Sequence, residues 1–120
     1  MNIKNSSRFP LHKNCSLLFD HPMGIYGFEK APGVLSHPND KRNERNPSSR
    51  SIINAAFDHA GECYSLADGS KLYLVHRLDS PTSGILLACT NFSAAKELKS
   101  AFEQRMVKKT YYAIVRSRVK

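Results

Sequence analysis

The chain has 120 residues, 41% of them hydrophobic and 23% charged, with 18 Lys and Arg against 10 Asp and Glu for a formal net charge of +8. This length gives room for one domain, which buries roughly two thirds of the surface its unfolded chain exposes, and the balance of apolar to charged residues excludes disorder throughout. No stretch approaches the ~20 apolar residues of a membrane span, so the positive charge points to an acidic macromolecule, a nucleic acid before a membrane.

Residues 1–16 are polar and read as a loose leader without the apolar region of a secretory signal. Leu17-Leu18-Phe19 and Ile25-Tyr26-Gly27-Phe28 read as two short strands joined through Asp20-His21-Pro22. Residues 38–51 carry no apolar side chain except proline and read as an exposed loop. Ser51 is placed to cap a short helix containing Ile52, Ile53, Ala56 and Phe57, ending before Gly61. Ala67-Asp68-Gly69-Ser70 is turn chemistry.

The most informative run is His76-Arg77-Leu78-Asp79-Ser80-Pro81-Thr82-Ser83-Gly84, held between the β-prone runs Leu72-Tyr73-Leu74-Val75 and Ile85-Leu86-Leu87-Ala88. If the first strand continues through Asp79, Arg77 and Asp79 project from one face and Leu78 points into the core. Asp79 is then kept ionised by Arg77 and by hydroxyl or backbone donors from Thr82, Ser83 and Gly84. An ionised, oriented carboxylate can act as a nucleophile. Read blandly, the same residues are a surface ion pair beside a turn.

Past Ser93, a good N-cap, Ala95, Leu98, Phe102 and Met106 form an apolar stripe read as core. Residues 109–115 then read as a strand, with Tyr111, Ala113 and Val115 on one face and Tyr112 and Ile114 on the other. Lys96 to Lys120 hold eight Lys and Arg against two Glu, so most of the positive excess lies there, interleaved with Tyr111 and Tyr112. Cations for phosphate and rings for bases suit a nucleic acid, and read blandly the same charge only keeps the domain soluble. Cys15, Cys63 and Cys89 are odd in number and widely spaced, which points to a reducing, cytoplasmic setting. The five histidines show no HxxxH or HExxH spacing, so no metal is expected.

The nine-residue run resembles the signature of the RluA-type pseudouridine synthases, His-Arg-Leu-Asp followed two residues later by Thr-Ser-Gly and an aliphatic strand. Two further stretches agree in the same order. Phe28 to Pro38 is similar to the family's Lys-Pro-x-Gly-x-x-x-His-Pro segment, although it reads Lys-Ala-Pro-Gly, and Val107 to Val115 is similar to its Lys-x-Tyr strand.

The resemblance implies an α+β fold with a mixed, largely antiparallel sheet and flanking helices. It also implies isomerisation of uridine to pseudouridine in structured ribosomal or transfer RNA, with no cofactor. By this likeness Asp79 is the nucleophile, Tyr111 packs on the target base and accepts a proton, and Arg77 takes the place of the flipped-out nucleotide or pairs with phosphate. His76, Thr82, Ser83 and Lys109 are then substrate-binding. Residues 17–120 are expected to be the first part of such a catalytic domain, which normally continues for roughly another hundred residues. Self-association through an uncovered sheet edge is expected of such a part. The second reading is a truncated, inactive RNA-binding remnant, and a third is a dimerising structural fragment.

Overall fold

The computed structural model of the chain describes residues 8–39 and 47–113. Six strands, β1 (Ser16–His21), β2 (Ile25–Lys30), β3 (Phe57–Asp58), β4 (Cys63–Ser65), β5 (Lys71–Leu74) and β6 (Gly84–Cys89), form one sheet in the order β1-β2-β6-β5-β4-β3. Every strand pair in it is antiparallel. A helix, α1 (Phe92–Glu103), follows β6. The α+β class and the antiparallel sheet agree with the sequence reading, with one long helix among the described residues in place of several.

The register of β2 on β6 decides what each face of the sheet carries. Tyr26 lies opposite Ala88, Phe28 opposite Leu86 and Lys30 opposite Gly84, and alternation puts all of them on one face. That face is the main core, where Phe9, Leu17, Phe57, Tyr64, Leu72 and Leu78 join them. On the other face Ile25 lies opposite Cys89 and Glu29 opposite Ile85. There α1 covers the Cys89 end through Ala94, Ala95, Leu98 and Phe102, while Ile85 remains 53% and Phe19 44% exposed.

Five expectations change. Residues 8–15 are not loose: Phe9 is buried edge-on against Tyr26 and Phe28, and Arg8 bonds Asp68, Ser70 and the Tyr26 hydroxyl. The helix after Ser51 does not form. Ser51 bridges Leu35, Ile53 bridges Leu11 and Phe57 opens β3, because a β-branched pair finds partners on neighbouring extended chain. The N-cap of α1 is Asn91, whose side chain accepts the Ala94 N–H at 3.2 Å, and not Ser93. The apolar stripe ends with α1, leaving Met106 exposed, and residues 109–113 form no strand; the rest of that expected strand lies outside the described residues.

Candidate active site

β5 leaves the sheet after Leu74, so the strand does not run on through Asp79. The alternation survives the loss of the ladder, with Arg77 exposed, Leu78 buried and Asp79 exposed. Three anchors replace strand pairing. At the first, the imidazole Nε2 of His76 accepts the Leu87 N–H of β6 at 2.9 Å, beyond the Tyr73–Cys89 and Leu74–Ala88 pairs where the β5–β6 ladder stops. A side chain thus takes the place of a strand partner. The ring stacks on Phe102 of α1, centroids 4.5 Å apart. Burial first, and then the charge of Lys109, lower its pKa to about 4.

Ser36 supplies the second anchor. Its hydroxyl donates to the Leu78 carbonyl at 2.8 Å and accepts the Leu78 N–H at 3.0 Å. The buried Tyr64 hydroxyl holds Ser36 by donating to its carbonyl at 2.5 Å. Burial pushes the Tyr64 phenol far up, which keeps it a donor.

Lys30 supplies the third. At 0% exposure, its ammonium donates to the carbonyls of Val34 at 2.6 Å, Ala31 at 3.1 Å and Ser80 at 3.1 Å. Burial lowers its pKa, while the charges of Cys15 and Asp79 act in the opposite direction and favour the cation. Pro32 and Gly33 form the turn beneath it, with the Val34 N–H on the Ala31 carbonyl and Gly33 at φ +84°. Proline then glycine at the centre suits that geometry, and the Gly33 N–H also donates to the Ser80 carbonyl at 2.7 Å. Facing Lys30 across the β2–β6 ladder, Gly84 has φ +143°, a backbone only glycine adopts without strain.

Asp79 is therefore an exposed carboxylate on a short loop bound at both ends, with its own carbonyl accepting the Thr82 N–H at 2.9 Å. Thr82 is half-buried and Ser83 exposed. Arg77 is not paired as expected. Among the described residues no ion pair joins it to Asp79, and its Nη1 donates instead to His37 Nε2 at 2.9 Å. The charge of Asp79 instead favours the cationic form of Lys30, whose ammonium is buried behind the loop on the Ser80 carbonyl.

Lys109 joins the other anchor, its ammonium 5.4 Å from the Phe102 ring centroid. Tyr111 is 61% exposed on the unpaired segment after α1, and among the described residues it has no recorded hydrogen bond or ring contact with the Asp79 loop. Sequence reasoning missed Tyr64, and it quoted Lys30 and Ser36 only as part of a motif. A serine next to His37-Pro38 carried no sign of a partner 42 residues away.

A family model described as RNA pseudouridylate synthase matches residues 25–120. The chain is 49% identical over 51 residues to a tRNA pseudouridine synthase C of Yersinia pestis, covering 42% of this chain and 20% of that protein. It is 42% identical over 64 residues to a ribosomal large subunit pseudouridine synthase C of Rickettsia bellii, covering 53% of this chain and 21% of that protein. An uncharacterized RNA pseudouridine synthase of Mycoplasma pneumoniae is 35% identical over 86 residues, 72% of this chain and 24% of that protein. The chain thus spans about a fifth of the length of the curated relatives it matches. No solved structure matches it. The Asp79 loop, the strands β5 and β6 beside it and the Lys30 turn that braces it all fall inside the matched span, and the chain belongs to the RNA pseudouridylate synthase family.

Proposed function

We propose that this chain carries the nucleophile-bearing part of an enzyme that isomerises uridine to pseudouridine in structured RNA, with Asp79 as the nucleophile. The observation that carries this reading is an exposed carboxylate on a loop whose flanking residues are locked by Ser36, Lys30 and Gly33. Preorganisation of that kind keeps a nucleophile in place without cost at the moment of reaction. In the proposed route the uridine is everted from the RNA, because a stacked base does not offer its sugar to a protein group. The carboxylate takes C1′ as the bond to N1 breaks. The freed uracil turns and bonds C1′ through C5 as the carboxylate departs, N1 gains a proton and C5 loses one.

Tyr111 is proposed as the acceptor of that C5 proton, Arg77 and Lys109 as cations along the RNA, and Thr82 and Ser83 as polar contacts. His76 acts through β6 rather than on the substrate, which its bond to Leu87 supports. The names of the relatives favour transfer or ribosomal RNA as the substrate. A reducing cytoplasm, supported by the free Cys15, Cys63 and Cys89, and self-association through an outer strand, β1 or β3, complete the proposal.

Asp79→Asn is expected to lower tritium release from 5-tritiated uridine in RNA at least about 1,000-fold, the scale of losing a nucleophile, while RNA binding persists. Turnover surviving that change rules out the assignment. A second reading, in which this chain binds RNA without turnover, is favoured by the exposure of Tyr111. The wild-type chain decides between them, since release of tritium requires the closed site and a shift in RNA mobility requires only the basic surface.

A further inference from the structure

A cavity of about 280 Å³ opens beside Arg77, lined by that residue with His37, Asn39, Phe57, His59 and Glu62. We propose that it is a subsite for the base of an unpaired nucleotide neighbouring the one everted onto Asp79; the inference rests on the reading of Asp79 above. Its volume lies just under the roughly 300–1,000 Å³ of small-ligand pockets, which suits a single base.

One wall is already built for stacking. The His37 ring lies flat on Phe57, with centroids 4.9 Å apart and planes 7° from parallel. The His59 ring stands edge-on to both, at 5.3 Å and 5.0 Å. His37 is fixed in its neutral form, since Nδ1 donates to the Pro38 carbonyl and Nε2 accepts from Arg77. Burial lowers its pKa, and the charges of Arg77 and His59 act in the same direction, against the Pro38 carbonyl and Glu62, which raise it. The same bond holds the guanidinium at the cavity, with most of its five donors left over for phosphate.

The polar groups match the edge of a base. His59 Nε2 is buried and has no hydrogen-bond partner among the described residues, a condition that calls for a missing ligand or water. Glu62 lines the cavity and is tied to Lys99 of α1 through Oε1, which places an acceptor carboxylate there for the N–H groups that bases present. Arg77 and Asp79 are two positions apart along the chain, so their Cα atoms lie within about 7 Å. This is the scale of one step between nucleotides in an extended strand. Bases without sequence preference are held in this way elsewhere, by aromatic platforms beside a cationic track.

The test uses the whole chain and short single-stranded RNAs with one central uridine and an abasic position moved along them, read by fluorescence anisotropy. One position beside the uridine is expected to weaken wild-type binding about five- to a hundredfold when abasic. His59→Ala, checked for folding by its thermal melt, should bind the intact RNA weakly and be indifferent to that abasic position. Equal affinity for all the abasic RNAs overturns the subsite, and so does undetectable RNA binding by the wild type. Failure of the Asp79 reading shows separately, as tritium release that survives Asp79→Asn.

Discussion

Ser36 pairs its hydroxyl with both backbone groups of Leu78, 42 residues away. Ser36→Ala leaves a buried N–H and a buried carbonyl unpartnered, which costs about 2–3 kcal/mol. Urea denaturation should read that loss, and kcat of pseudouridine formation should fall more than KM rises, because the loop loses its anchor and the RNA surface does not. His76 makes the loop pH-sensitive as well. Its pKa falls from 6.5 to about 4, through burial first and then Lys109, so between those values the unfolded chain binds a proton that the folded chain refuses. Stability is therefore fully present above 6.5 and declines as the pH drops toward 4. Denaturation at about pH 7 and about pH 4.5 should show this decline. His76→Phe should remove part of it, His37 supplying a remainder of the same sign.

At the scale of elements, α1 gives a sharp contrast between two neighbouring polar residues. Asn91 bonds the Ala94 N–H, so Asn91→Ala should cost about 1 kcal/mol. Ser93 sits exposed inside the first turn, and Ser93→Ala should stay within about 0.5 kcal/mol. Thermal melts of the two variants check this, and equal losses would contradict the observed cap. β2, β5 and β6 were legible because their apolar runs are bounded by turn residues. Residues 51–57 were not, since Ile52 and Ile53 next to Ala55 and Ala56 fit a helix or a buried extended segment equally well. Leu35 and Leu11 decided it by pairing with Ser51 and Ile53.

For the whole molecule the governing quantity is the net charge of +8. Contacts to about four phosphates give log affinity a slope of about −3 against log salt, so a fourfold rise in salt should weaken RNA binding about fiftyfold. A flat salt profile by anisotropy would leave the basic surface without the proposed role. The sheet distributes burial unevenly: the face of Tyr26, Phe28 and Leu86 is closed by the main core, while the opposite face keeps Phe19 and Ile85 exposed beyond the reach of α1.

The sequence by itself determined the strands on either side of the motif, the exposure of Asp79 and the family. These follow from local alternation, turn residues and one ordered set of short motifs, all legible within a few neighbours. Only the tertiary structure decided that Arg77 turns to His37 rather than to Asp79, that Lys30 is the buried cation behind the carboxylate, and that Ser36 and Tyr64 hold the loop. Those choices depend on which distant backbone groups lose water together and must then be satisfied. No spacing along the chain encodes such a debt.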